Sequence, residues 1–233
     1  DMIIFPHYLI VRQSDKLLPI PYESYSLRDF KDNFVEAGEI FLGSGGVLSI
    51  PLYTDPLVMY WNRSLFSNAG LSNHPKNWTE FLKITEFLTK KDEKGNIFQS
   101  TIALGTYSNI NNAKDILSTM FLQTGENIID KEVIGQGASP KDSFKVSLSN
   151  FGGTSSAVNF FTEFSNPAKT SYSWNTSMPN SRSAFESEKL AVYFGRASEY
   201  SSIKRNNPNL NFDVAVIPQR NDSKTRLTFG DMK

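Results

Sequence analysis

An apolar run at residues 47–52 passes straight through Pro51, and a second run begins at Leu57 after only Tyr53, Thr54, Asp55 and Pro56. Proline has no N–H to give to a sheet ladder, so it is misplaced in the middle of a central strand. A chain that leaves one sheet, bends and enters another accommodates it. A crossing between two lobes is therefore expected at residues 53–56.

Further runs of β-branched and aromatic residues, at 2–5, 102–104, 190–194 and 212–217, read as strands. Helical patterns fall between them. Asn77 followed by Glu80 has the form of a capping box, and Phe81, Ile84 and Leu88 then mark one face, with Lys90, Lys91 and Gly95 closing the helix. Other helices are expected over 112–123, 155–164 and 183–188. Strands alternating with helices of this length give an α/β class with a mainly parallel sheet. Residues 131–150 mix Gly, Ser, Pro and Lys in the manner of a surface excursion.

Lys plus Arg and Asp plus Glu each total 24, so no positive field is available to hold a nucleic-acid backbone. No Cys is present, which removes thiol nucleophiles, thiolate metal sites and disulfides. With His7 and His74 the only histidines, neither H-E-x-x-H nor a three-histidine zinc site can be written. No cofactor, metal or catalytic set is expected. The glycine pairs at 45–46 and 152–153 do not form a nucleotide loop, and Asn-x-Ser/Thr at Asn62, Asn77, Asn175 and Asn221 is read as coincidence. The sequence opens directly into an apolar run and closes just after another, so an excerpt of a longer protein is expected.

The run I50-P-L-Y-T-D-P-L-V-M-Y-W-N-R-S-L-F-S-N-A-G-L, then N77-W-T-E-F-L and L88-T-K-K-D-E-K-G-N, resembles the extracellular solute-binding proteins of sugar ABC transporters. Residues 1–5, 121–125, 185–200 and 214–218 fit the same pattern in order. The resemblance implies a type II periplasmic-binding-protein fold, a two-lobed clamp truncated here at both ends. Residues 1–52 would be the later part of the first lobe, 53–56 the hinge, 57–225 most of the second lobe and 226–233 the return crossing. It further implies an extracytoplasmic, non-enzymatic monomer, periplasmic or lipid-anchored, that delivers a mono- or oligosaccharide to ABC permease subunits. Where the family often has an aromatic after Gly195, this chain has Arg196, Ala197 and Ser198, so one stacking position is absent or relocated.

Saccharide recognition needs aromatic faces for C–H surfaces and planar polar groups for hydroxyl pairs. Asp55 stands where the resemblance puts an acidic sugar ligand, although Asp before Pro also caps turns. Tyr53 shares its side of an extended chain, and hinge packing is the alternative. His7 and Tyr8 follow the first expected strand, at the end where open α/β sheets bind ligands. Tyr107 and Asn109 follow another strand through Gly105. Trp174, in a polar loop, is expected to stack on a sugar or to pack beneath the loop. Arg196 and Glu199 follow Gly195, where Arg196 would bind hydroxyls or form an ion pair. Trp61, Trp78 and Tyr60 are expected to be structural. Two alternatives stand beside the sugar reading: a polyamine, organic anion or metal chelate in the same fold, and a carbohydrate-active enzyme with Asp55 and Glu199 as a carboxylate pair.

Overall fold

The computed structural model describes residues 3–4, 6–125, 128–134, 141–146 and 151–233. The chain divides into two compact units. One holds Asp1–Asp55, Glu132–Ser143 and Gly230–Lys233, the other Pro56–Lys131 and Phe144–Phe229. The chain thus passes between units at Asp55 and Pro56, at Lys131 and Glu132, at Ser143 and Phe144, and at Phe229 and Gly230.

In the first unit, helices α1 (Ile10–Gln13) and α2 (Leu27–Asn33) precede a small hairpin of β1 (Leu42–Gly43) and β2 (Gly46–Val47). Ser26 caps α2, accepting from Asp29 N–H at 3.1 Å and donating to Asp29 Oδ2 at 2.7 Å. Phe30 of that helix packs with Ile10, Phe41, Val47 and Met232 in a small core. Gly46 lies at φ +149, and a Cβ there would collide with the Ile20 carbonyl. That close approach lets Ile20 and Val47 exchange two backbone hydrogen bonds of 2.9 Å each.

Two expected strands are altered in this unit. Ile3 and Ile4 are exposed and lie outside any strand, while Met2 and Phe5 fall outside the described residues. The run at 47–52 is strand only at Val47, because residues approaching Pro51 make separate bonds rather than a ladder. Leu48 N–H donates to Phe41 O at 2.8 Å, and Tyr53 and Lys233 exchange backbone bonds of 3.1 Å in each direction.

In chain order the remaining elements are β3 (Thr54–Asn62), α3 (Arg63–Asn68), α4 (Trp78–Leu88), β4 (Lys90–Lys91), β5 (Ile97–Ile102), α5 (Ala113–Gln123), β6 (Ile129–Ile134), β7 (Lys141–Val146), α6 (Phe151–Glu163), α7 (Ser181–Glu186), β8 (Leu190–Arg196), α8 (Tyr200–Asn206), β9 (Phe212–Ala215) and β10 (Gly230–Met232). The Asn77 capping box forms: Asn77 Oδ1 accepts from Glu80 N–H at 2.8 Å and its amide donates to Glu80 Oε1 at 2.9 Å. Lys90 and Lys91 do not close α4; they form β4, and Gly95 at φ +83 turns the chain toward β5.

The second unit's sheet runs β9-β3-β8-β5-β4. Its pairing is mixed: β5 and β8 are parallel, joined through α5, α6 and α7, while β3–β8, β3–β9 and β4–β5 are antiparallel. Register puts Leu57 opposite Arg196 and Tyr60 opposite Tyr193. Residues Leu190 to Gly195 of β8 are buried without alternation, as a strand covered on both faces requires. Trp78, Phe81, Phe160, Phe164 and Phe194 pack ring against ring beneath it at centroid distances of 5.3 to 6.3 Å.

Candidate functional site

Because β5 and β8 are parallel and β3 runs antiparallel to β8, the carboxyl ends of β5 and β8 share one sheet edge with the start of β3. Ligands of open α/β sheets bind beyond such carboxyl ends. Tyr107, Asn109, Arg196 and Glu199, four of the nine sequence-predicted residues, lie at or just after the ends of these two strands, and Trp174 follows α6.

Beyond β5, Gly105 at φ +93 brings the chain against the end of α6. A Cβ there would lie 2.6 Å from Ser165 Cβ and Oγ, and Ser165 Oγ donates to Gly105 O at 3.1 Å. Tyr107 then projects outward with 70% of its surface exposed. Asn109 turns inward and ties two loops together. Its carbonyl oxygen accepts from Thr106 Oγ1 at 2.6 Å and from Trp174 Nε1 at 3.2 Å, and its amide donates to Asn175 O and Met178 O at 2.9 and 3.0 Å.

Trp174 differs from the stacking expectation. It is 0% exposed and forms part of the main core. Its polar neighbours hide the reason: Ser173 and Trp174 N–H both donate to Phe164 O, which turns the loop inward, and Asn109 supplies a buried acceptor for the indole. With that donor satisfied the ring is buried without an orphaned N–H.

Beyond β8, the Arg196 guanidinium reaches Asp115 Oδ2 at 2.7 Å and lies 5.8 Å over the Phe229 ring. The Arg196 backbone N–H donates to Glu199 Oε1 at 2.8 Å, and the Arg196 carbonyl accepts from Tyr60 OH at 2.7 Å. Glu199 also accepts from Tyr193 OH at 2.8 Å and Asn112 Nδ2 at 3.2 Å, and pairs with Arg182 at 3.3 Å. Burial, and then the Glu199 charge, push the Tyr193 phenol far above its ordinary pKa, so it remains a donor. Such saturated hydrogen bonding makes Glu199 a structural carboxylate. Of the two sequence readings of Arg196, the ion pair is the one formed.

Sequence reasoning missed Asp115 and Phe229. Asp115 falls in the first turn of the expected 112–123 helix, and that position was its only signal. Phe229 is held by three neighbours: its N–H donates to Thr119 Oγ1 at 3.0 Å, its carbonyl accepts from Leu57 N–H at 2.8 Å, and its ring faces Arg196.

The other four predicted residues belong to the first unit. Met232 N–H donates to His7 Nδ1 at 3.2 Å, and Tyr8 meets His7 edge-on with ring centroids 6.0 Å apart. Tyr53 is half exposed, with Lys233 Nζ 5.8 Å from its ring centre, and Asp55 is partly buried at the last position before the crossing. Among the described residues no group of three or more His, Cys, Asp or Glu is arranged to hold a metal, and no helix is long and apolar enough to cross a membrane.

Residues 11–225 match the family model described as bacterial extracellular solute-binding protein. CpMnBP1 in its mannotriose-bound structure superposes with a TM-score of 0.65 at 20% identity, over 98% of this chain and 57% of that one. The maltotriose binding protein of Thermus thermophilus, bound with maltotriose, gives 0.62 at 16%, over 97% and 55%. UgpB of Mycobacterium tuberculosis, in complex with glycerophosphocholine, gives 0.64 at 15%, over 95% and 51%. The chain therefore spans little more than half the length of these similar structures, which share its α/β fold.

Proposed function

From a chain that belongs to the bacterial extracellular solute-binding protein family, we propose that the whole protein is the solute-capturing component of an ABC importer and that its solute is a mono- or oligosaccharide. The match over residues 11–225 carries the importer reading. The saccharide class comes from neighbours of the same fold solved with mannotriose and maltotriose, and is supported by exposed tyrosine at the binding edge.

In this reading residues 1–52 contribute the later part of one lobe, 53–56 the hinge, 57–225 most of the other lobe and 226–233 the return crossing. Rotation of the lobes encloses the solute, and the closed form is what the permease recognises. Backbone bonds beside the crossings support the hinge assignment: Tyr53 with Lys233 in the first unit, Leu57 with Phe229 in the second. Tyr107, Tyr8 and Tyr53 supply accessible rings, Asp55 and His7 supply polar contacts, Asn109 and Trp174 hold the loop that carries Tyr107, and Arg196 and Glu199 fix the end of β8. The protein acts outside the cytoplasm as a monomer and catalyses no reaction.

Calorimetric titration of the full-length gene product with mannotriose, maltotriose and glucose tests this, with glycerophosphocholine and putrescine as comparison solutes. Saturable saccharide binding without turnover is the expected result. Binding only to a comparison solute would remove the saccharide assignment, and saccharide hydrolysis abolished by Asp55→Ala would replace the receptor by an enzyme.

A further inference from the structure

Beside the contact of Gly105 with Ser165, the outer side of α6 and the turn after it line an open cleft of 480 Å³. This is within the size range of small-molecule sites. Its lining joins Phe160 to Asn159, Glu163, Asn166 and Lys169.

The walls are fixed by their own hydrogen bonds. Asn166 N–H donates to Glu163 O, Lys169 N–H to Asn166 O and Tyr172 N–H to Lys169 O, at 3.0 to 3.1 Å. Asn166 Oδ1 accepts from Ala168 N–H at 3.0 Å, and Ser171 Oγ donates to Glu163 Oε1 at 2.6 Å. Phe160 is braced by edge contacts to Trp78 and Phe164, both with centroids 5.3 Å away. Such a surface needs little ordering when a ligand arrives.

The charges show what fits. Glu163 and Lys169 line the same cleft, yet among the described residues neither forms an ion pair. A carboxylate and an ammonium facing one space without pairing are complementary to a molecule carrying both charges. We propose that this cleft binds a small zwitterion of the α-amino-acid type. Lys169 receives its carboxylate, Glu163 its ammonium, the Asn159 and Asn166 amides the remaining polar atoms, and Phe160 its apolar side chain. This second site is independent of the saccharide reading.

The test titrates the unmodified chain with L-leucine, isovalerate and isoamylamine, the last two each keeping one of leucine's charges, followed by saturation-transfer NMR. L-leucine is expected to saturate, and each single-charge analogue to bind about tenfold more weakly or worse, as loss of a charge-assisted hydrogen bond implies. Lys169→Met and Glu163→Gln are expected to weaken L-leucine by a similar factor while mannotriose binding stays unchanged. The glutamine retains an oxygen for Ser171. No saturation by L-leucine at millimolar concentration, equal binding of either analogue, or L-leucine affinity untouched by both substitutions would each overturn the proposal.

Discussion

Arg196 and Asp115 meet at 2.7 Å with side chains only 12% and 9% exposed, fastening the carboxyl end of β8 to the first turn of α5. Removing one partner strands the other charge in a largely dry setting, which costs about 3 kcal/mol. Arg196→Met is expected to lower stability by about that much in chemical denaturation, and the double variant with Asp115→Leu to recover most of it. Additive losses would show that the two do not act as a pair.

Trp174 is a core residue tied to Asn109, so Trp174→Ala should destabilise the second unit by about 3 to 5 kcal/mol. A thermal melt reads this directly. A melting temperature equal to that of the unmodified chain would return Trp174 to the surface role that its loop suggested.

Tyr107 offers the opposite prediction. Its ring is exposed, so Tyr107→Ala should leave the melt unchanged and weaken saccharide binding by about 1 kcal/mol, several-fold in affinity. Unaltered affinity in the folded variant would exclude it from the contact surface.

The Tyr193 phenol predicts alkaline behaviour. Because its pKa is raised in the fold, an unfolded chain gives up this proton near the ordinary tyrosine value of about 10 while the folded chain keeps it. The folded state then binds more protons, so stability is fully present below that pH and declines as pH rises above it. Denaturation midpoints measured along an alkaline series should fall, and Tyr193→Phe should flatten the slope. An identical slope in the variant would contradict the assignment.

At Gly105 a positive φ and contact with Ser165 both oppose a side chain. Gly105→Ala should cost about 1 to 3 kcal/mol and move the Tyr107 loop. Retained stability would mean that Ser165 yields without resistance.

The helices were legible because their signals are local. Asn77 and Glu80 lie three residues apart and bond one another, and the expected 112–123 and 155–164 segments correspond to α5 and α6 with shifted ends. The strand at 47–52 was not, because apolar character alone does not show that Pro51 leaves its neighbours to bond singly to Phe41 and Lys233. Trp174 misled for a similar reason: the acceptor that permits its burial is Asn109, 65 residues away. Arg196 was visible as a charged residue after a strand, but its partner Asp115 lies 81 residues away on a helix whose pattern described only its apolar face.

Met232 closes the core built by Ile10, Phe30, Phe41 and Val47, and bonds to His7 across 225 positions of sequence. Synthesis runs from the amino end, so residues 56–229 are made before that core residue. The second unit can therefore fold during translation while the first waits with its apolar residues open to water. Joining ends so far apart carries an entropic penalty that grows only slowly with length, so the delay burdens the nascent chain's solubility far more than the finished protein's stability.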